Sequence, residues 1–182
     1  MSRPRWLRPS ERGLQPQATV ANDGYDVLFV CTGNICRSAY ADLRLAQRRP
    51  DLRVGSAGIG ALSGHDIDRP MRDYLPADIS WPPHEARQAT TPILQSSSLI
   101  LAMEDVHVAW IIETVPAVAT RTFTLRQLAR LLQEQPPDAP TSAGELARRY
   151  AKAAGEVQSE DGIADPYRRS QSRYARSVHQ ID

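Results

Sequence analysis

The sequence predicts an α/β fold, a doubly wound and mostly four-stranded parallel sheet with helices on both faces. Two observations carry this. Residues 25–31 and 98–103 are apolar runs without alternation, as expected of strands covered on both sides. Segments of helical character separate them, and strands alternating with helices imply parallel pairing through crossovers.

Residues 25–31 form the first strand, and 38–49 a helix that Pro50 stops. Residues 52–57 make a second strand. A short helix over 69–75 carries Pro70 in its first turn, where its missing N–H costs nothing. Residues 80–83 form a turn, and 90–95 a helical turn. The third strand, 98–103, leads into a helix over 104–113. Residues 117–123 read as a short fourth strand and 125–133 as an amphipathic helix. A proline-rich connector, 134–140, precedes a helix over 142–154 whose Arg148, Arg149 and Lys152 face water. A loop over 155–167 and a helix over 169–180 close the chain. Its 182 residues suit one domain with a real core. That domain is taken as 24–182, after a flexible polar arm, 1–23, in which a docking role for Arg3, Arg5, Arg8 and Arg12 is left open.

Composition removes several function classes. A formal net charge of +1 gives no case for a nucleic-acid surface. No apolar run approaches the ~20 residues that span a bilayer, and the arginines of the arm precede no apolar signal segment. Cys31 and Cys36 are the only cysteines, which is no disulfide scaffold and suits a reducing cytoplasm. His65, His84, His107 and His179 show no metal-ligand spacing, so neither a metal nor another cofactor is expected. Lys152 is the sole lysine, and the excess of arginine, alanine and proline points to GC-rich coding DNA and a bacterial source.

The chemistry concentrates in Cys31-Thr32-Gly33-Asn34-Ile35-Cys36-Arg37-Ser38, between the first strand and the first helix. Backbone N–H groups in a tight loop at a helix N-terminus converge on an anion, and the helix dipole adds positive potential. Gly33 allows backbone angles that a side chain forbids. Arg37 presents a planar fork to two phosphate oxygens, as lysine cannot. The field that holds phosphate also favours a thiolate, so Cys31 is expected to be ionised at neutral pH. The alternative for Cys31 is a small buried core residue. Ser38 either caps the following helix or hydrogen-bonds the Cys31 sulfur, and Asn34 tolerates left-handed backbone. A nucleotide-binding loop of the G-x-x-x-x-G-K-[ST] type is absent.

The segment from Val27 to Ser38 resembles the low-molecular-weight protein tyrosine phosphatase family. The likeness continues, in the family's order, at Ser56-Ala57-Gly58, His84-Glu85-Ala86-Arg87-Gln88, Leu99-Ile100-Leu101-Ala102-Met103 and Asp165-Pro166-Tyr167. It implies the fold above with its phosphate loop after the first strand. It implies hydrolysis of phosphotyrosine, with Cys31 as nucleophile forming a phosphocysteine and Arg37 with the loop amides holding the phosphoryl oxygens. Asp165 would be general acid, then base, which gives a mildly acidic optimum. The loop residues Thr32, Gly33, Asn34, Ile35, Cys36 and Ser38 would bind phosphate, with His84 in support. The implied partner is a phosphotyrosine-bearing protein, a tyrosine kinase among the candidates.

Other readings stay open at this point. Asp-Pro is a common turn opener, so Asp165 has a structural alternative, and Asp138 and Asp161 are rival acids without the Pro-Tyr that follows. Cys36 either traps an oxidised Cys31 as a disulfide, as the resemblance implies, or packs inertly under the loop. Leu62 stands where the family often carries an aromatic pocket wall, which loosens the case for phosphotyrosine and leaves Tyr167 as the other wall. Arg168 replaces a second aromatic. Arg168 and Arg169 either favour acidic substrates or are solvated charges. A non-catalytic phosphotyrosine-binding module would not need the acid. A thiol-dependent arsenate reductase would need relay cysteines that the chain lacks beyond Cys36.

Overall fold

The computed structural model describes residues 24–139, 141–153 and 157–182; the N-terminal arm with its arginines lies outside the described residues. Strands β1 (Val27–Cys31), β2 (Val54–Gly58), β3 (Leu99–Ala102) and β4 (Thr122–Thr124) form one sheet of order β2-β1-β3-β4. Every pairing is parallel: Val27 stands opposite Val54 and Leu99, and Leu101 opposite Phe123. From β1 the chain goes outward to β2, then returns to the other side of β1 for β3. The crevice between β1 and β3 is thus the point where strand order reverses, and such sheets bind ligands there, beyond the carboxyl ends of the strands.

Successive strand residues face opposite sides, and both sides are filled. Val27, Phe29, Leu99, Leu101 and Phe123 pack with Ala41 of α1 (Arg37–Arg48), Leu128 and Leu131 of α5 (Leu125–Glu134) and Tyr150 of α6 (Ala143–Tyr150). Leu28, Val30, Ile100 and Ala102 pack with Leu94 of α3 (Thr91–Ser96) and Val108 and Ile111 of α4 (Asp105–Thr114). Each of the Val, Leu, Ile and Phe side chains, fully buried, contributes about 1.5–3 kcal/mol. A third cluster ties the outer side of α1 to α2 (Arg69–Arg72) and α7 (Gln171–Ile181) through Tyr40, Met71 and Tyr174. Helices α5 and α6 each open on a capping box, Thr124 with Gln127 and Ser142 with Glu145.

Two expectations are corrected. The fourth strand is shorter than 117–123, because Pro116–Arg121 coils as a 3-10 helix and only Thr122–Thr124 joins the sheet. Pro116 sets the starting backbone angle, and the Thr122 hydroxyl donates back to the Val118 carbonyl at 2.9 Å, closing the coil. Helix α6 ends at Tyr150 and continues as a 3-10 turn, Ala151–Ala153. Arg148, Arg149 and Lys152 are exposed as expected.

Candidate active site

The loop between β1 and α1 is held from outside by its carbonyls. Cys31, Thr32 and Gly33 C=O accept from the N–H groups of Ile59, Gly60 and Leu62, each at 3.0 Å. Asn34 C=O accepts from the His84 ring Nε2 at 2.7 Å, and Ile35 C=O from Asp68 N–H at 2.7 Å. A trans peptide unit points its C=O and its N–H in opposite directions. With the carbonyls of 31–35 turned outward, the N–H groups of 32–36 turn to the concave side, which is the anion cradle. Two residues set this curvature. Asn34 sits at φ 56°, the left-handed region that Asn tolerates. Gly58 allows the end of β2 to lie against the loop, since a Cβ there would come within 2.4 Å of the Thr32 carbonyl oxygen.

A buried relay reaches the sulfur. Arg87 N–H donates to Asn34 Oδ1 at 2.9 Å, Asn34 Nδ2 donates to Ser38 Oγ at 3.0 Å, and Ser38 Oγ lies 3.0 Å from Cys31 Sγ. Because Ser38 Oγ already accepts from Asn34, its own hydrogen is free to be donated to Cys31 Sγ. Of the two roles open to Ser38, the structure takes the contact with sulfur: the N-cap position of α1 belongs to Cys36, with no side-chain capping bond. His84 supports the loop from behind. A carbonyl only accepts, so His84 Nε2 carries the hydrogen it gives to Asn34. Arg87 and Gln88 add to this support: Arg87 Nε donates to Ser56 C=O at 2.8 Å, and Gln88 Oε1 accepts from Ala61 N–H at 3.0 Å.

Arg37 is 1% exposed and heavily tethered. Its Nη1 donates to the Glu104 carboxylate and, at 2.8 Å, to the Ile163 carbonyl. Its Nη2 stands 3.3 Å from Asp165 Oδ2. Arg37 Nε, also buried, has no hydrogen-bond partner among the described residues. Cys31, Thr32, Gly33, Ile35, Cys36, Arg37, Gly60, Leu62, Asp165 and Tyr167 line one cavity of about 190 Å³. The nucleophile, arginine, acid and both wall residues expected from sequence therefore meet in one place. Asn34, Ser38 and His84 stand behind it. The rival acids do not line it: Asp161 pairs with Arg130 at 3.1 Å, and Asp138 is an exposed partner of Arg149. Arg168 stacks over the Tyr167 ring, 5.0 Å from its centroid, and so stiffens one wall.

Cys36 is a free thiol like Cys31. It is buried with Ala39, Met71 and Leu75, and its Sγ donates to Asp68 Oδ2 at 3.8 Å. Burial first, and the Asp68 charge second, push this thiol far above its ordinary range, so it stays protonated. Among the described residues no group of three or more His, Cys, Asp or Glu side chains is placed to hold a metal ion. Nor is any helix among them long and apolar enough to cross a membrane.

Sequence reading missed two members of the site, Glu104 and His107. Glu104 is the residue before α4 and His107 lies in its first turn, shortly after β3 and so at the carboxyl end of the sheet. His107 is fully buried, its Nε2 2.9 Å from Thr32 Oγ1 and its Nδ1 without a partner among the described residues. Burial, then the nearby Arg37 charge, pull its pKa down to about 4. The folded protein therefore keeps His107 neutral while the unfolded chain takes up a proton below about 6.5. Its contribution to stability, roughly 3 kcal/mol at most, is present above that pH and is lost as pH falls toward 4. Urea unfolding at pH 4.5 and 7.5 should show a smaller acid loss in His107→Gln than in the unaltered protein. An equal loss in both would remove His107 as the cause.

Residues 26–135 match the family model described as low molecular weight phosphotyrosine protein phosphatase. The chain is similar to the low molecular weight protein-tyrosine-phosphatase Etp of Escherichia coli K12, with 36% identity over 113 residues, 62% of this chain and 75% of that one. It is similar to the probable low molecular weight protein-tyrosine-phosphatase EpsP of Ralstonia nicotianae, with 32% identity over 158 residues, 85% of this chain and 87% of that one. Among solved structures it resembles the YwlE arginine phosphatase of Geobacillus stearothermophilus, with TM-score 0.63 and 26% identity, covering 86% of each chain.

Proposed function

The chain belongs to the low molecular weight phosphotyrosine protein phosphatase family, and on that premise we propose that it hydrolyses phosphotyrosine through a phosphocysteine on Cys31. The observation that carries the reading is the shared cavity: Cys31, Arg37 and Asp165 line it together, over a loop whose amides face inward. In the first step Cys31 Sγ attacks phosphorus in line as the bond from phosphorus to the phenolic oxygen breaks. Asp165 gives its proton to that oxygen. The loop amides and the Nε–Nη2 edge of Arg37 hold the equatorial oxygens as charge spreads over them. A phosphoryl oxygen takes the place on Nη2 that Asp165 holds here. In the second step water attacks phosphorus, passes a proton to Asp165, and the bond from sulfur to phosphorus breaks to release phosphate.

Ile35, Leu62 and Tyr167 supply an apolar wall that suits an aryl group, with Leu62 37% exposed at the mouth. The presence of an acid on the leaving-group side favours an enzyme over a binding module. No cysteine beyond Cys31 and Cys36 is available to relay electrons for arsenate reduction. The same reading makes a phosphotyrosine-bearing protein the partner, in a bacterial cytoplasm.

The test is a panel of matched peptides bearing phosphotyrosine, phosphoserine, phosphothreonine or phosphoarginine, with EDTA present. Phosphotyrosine should be cleaved at least about 100-fold faster per unit concentration than the others, since protonation of a phenolate and burial of its ring act together. Preference for phosphoarginine, the substrate named for YwlE, would overturn the tyrosine assignment while leaving the cysteine chemistry in place. No turnover from folded, reduced protein would favour the binding module.

A further inference from the structure

We propose that Glu104 is a positioning residue for this reaction: by holding Arg37 Nη1 it sets the Nε–Nη2 edge of the guanidinium toward the phosphoryl group. The proposal rests on the phosphatase reading above and adds a residue to it.

Three observations support it. Glu104 occupies the N-cap position of α4, yet its side chain makes no capping bond. Its carboxylate crosses to Arg37 instead, 67 positions away in sequence. Glutamate is a poor N-cap compared with Ser, Asp or Asn, so the position forgoes a helix cap in favour of the arginine. Second, the division of the guanidinium is unequal. Nη1 is taken from two sides, by Glu104 and by the Ile163 carbonyl at 2.8 Å. Among the described residues Nε has no partner, and Nη2 reaches only Asp165, at 3.3 Å. Nε–H and Nη2–H are the parallel pair that grips two oxygens of one phosphate. Glu104 therefore occupies the end of the fork that the substrate does not use. Third, the two carboxylates on Arg37 differ in setting. The Asp165 side chain is 46% exposed on the loop before α7, whereas that of Glu104 is 30% exposed and anchored at the end of β3. Asp165 can exchange Nη2 for a phosphoryl oxygen and turn to the leaving group, while Glu104 stays with Nη1 through both steps.

A fork held in one orientation stabilises the planar, in-line arrangement more than the tetrahedral ground state. The readout is therefore the ratio of vanadate to phosphate affinity, measured as competitive inhibition of p-nitrophenyl phosphate hydrolysis. Vanadate adopts the five-coordinate geometry on sulfur; phosphate does not. Glu104→Ala, and Glu104→Met, which keeps the stem without the oxygens, should each lower that ratio at least about tenfold and kcat/KM about 30- to 100-fold. Glu104→Gln, which still offers Nη1 an acceptor oxygen, should stay within about threefold of the unaltered ratio. An unchanged ratio in a folded Ala or Met variant overturns the proposal. So does a Gln variant as impaired as Ala, which would make charge the requirement. Failure of both Ala and Met to fold, judged by thermal melting, would make Glu104 a stability residue instead. Absence of turnover and vanadate binding in the unaltered protein would strike the phosphatase reading itself, a result distinct from all of these.

Discussion

Cys31→Ser should abolish turnover while leaving phosphate binding intact. On the proposed mechanism the substitution removes a polarisable sulfur nucleophile and puts in its place a hydroxyl that stays protonated across the working range. Its neighbour Ser38 can donate one hydrogen to it but offers no base to take its proton. Without the S–P bond the two-step route is closed, and kcat should fall by about 10⁴-fold or more. The binding apparatus is otherwise untouched. The carbonyls of 31–35 remain tied to Ile59, Gly60, Leu62, His84 and Asp68, so the amides keep their inward aim, and Arg37 keeps Glu104 and Ile163. On the same mechanism the substitution also takes a nucleophilic anion from the floor of a cavity that must admit a dianion. Phosphate measured by calorimetry should bind at least as tightly as before. Residual turnover within about 100-fold of the unaltered enzyme would mean that sulfur is not the nucleophile. Loss of phosphate binding in a folded variant would instead make Cys31 part of the scaffold.

The loop that carries this chemistry was legible because it is contiguous. Cysteine, glycine and arginine at fixed spacing, between an apolar run and a helix, state a local geometry without reference to the rest of the chain. The long buried strands were legible for a similar reason, since their apolar runs have no competing explanation. The fourth strand was misread at its start. Val118 and Thr120 are β-branched and suggest a strand, but Pro116 before them and the bond from Thr122 to Val118 favour a coil. The support behind the loop was only half visible. His84, Arg87 and Gln88 come as one short motif, but nothing local says that Arg87 N–H would meet Asn34 or that Gln88 would brace Ala61. Glu104 and His107 were invisible because their roles exist only across the sheet, against Arg37 and Thr32. A signal did exist: both follow the third strand at its carboxyl end, beside the reversal of strand order, where polar residues tend to serve the ligand. Periodicity alone assigned them to the start of an ordinary helix.

Asp165→Asn should slow the enzyme in proportion to how badly the leaving group needs a proton. Phenol, with a pKa of about 10 like that of tyrosine, departs poorly as an anion. For phenyl phosphate kcat/KM should therefore fall by about 10²- to 10⁴-fold, the usual worth of a positioned acid. Esters of strongly acidic nitrophenols leave without help, and their loss should stay within about tenfold. The comparison is internal, so it separates the acid from the other part Asp165 plays. Its Oδ2 also lies 3.3 Å from Arg37 Nη2, and its Oδ1 accepts from Tyr167 N–H at 3.3 Å. Asparagine keeps an oxygen for either contact. If Asp165 mattered only for holding the arginine or shaping the loop, every ester would suffer alike, because the phosphoryl group is common to all of them. If it is the acid, a plot of log kcat/KM against leaving-group pKa should be nearly flat for the unaltered enzyme and steep for the variant. The second step sharpens the distinction further. Asparagine cannot accept the proton of the attacking water, so with the most acidic phenols phosphocysteine should accumulate. A burst of phenol stoichiometric with enzyme, followed by slow release of phosphate, is then expected. Parallel slopes for the two proteins, without a burst, would leave the acid unidentified, since Asp161 and Asp138 line no part of the cavity.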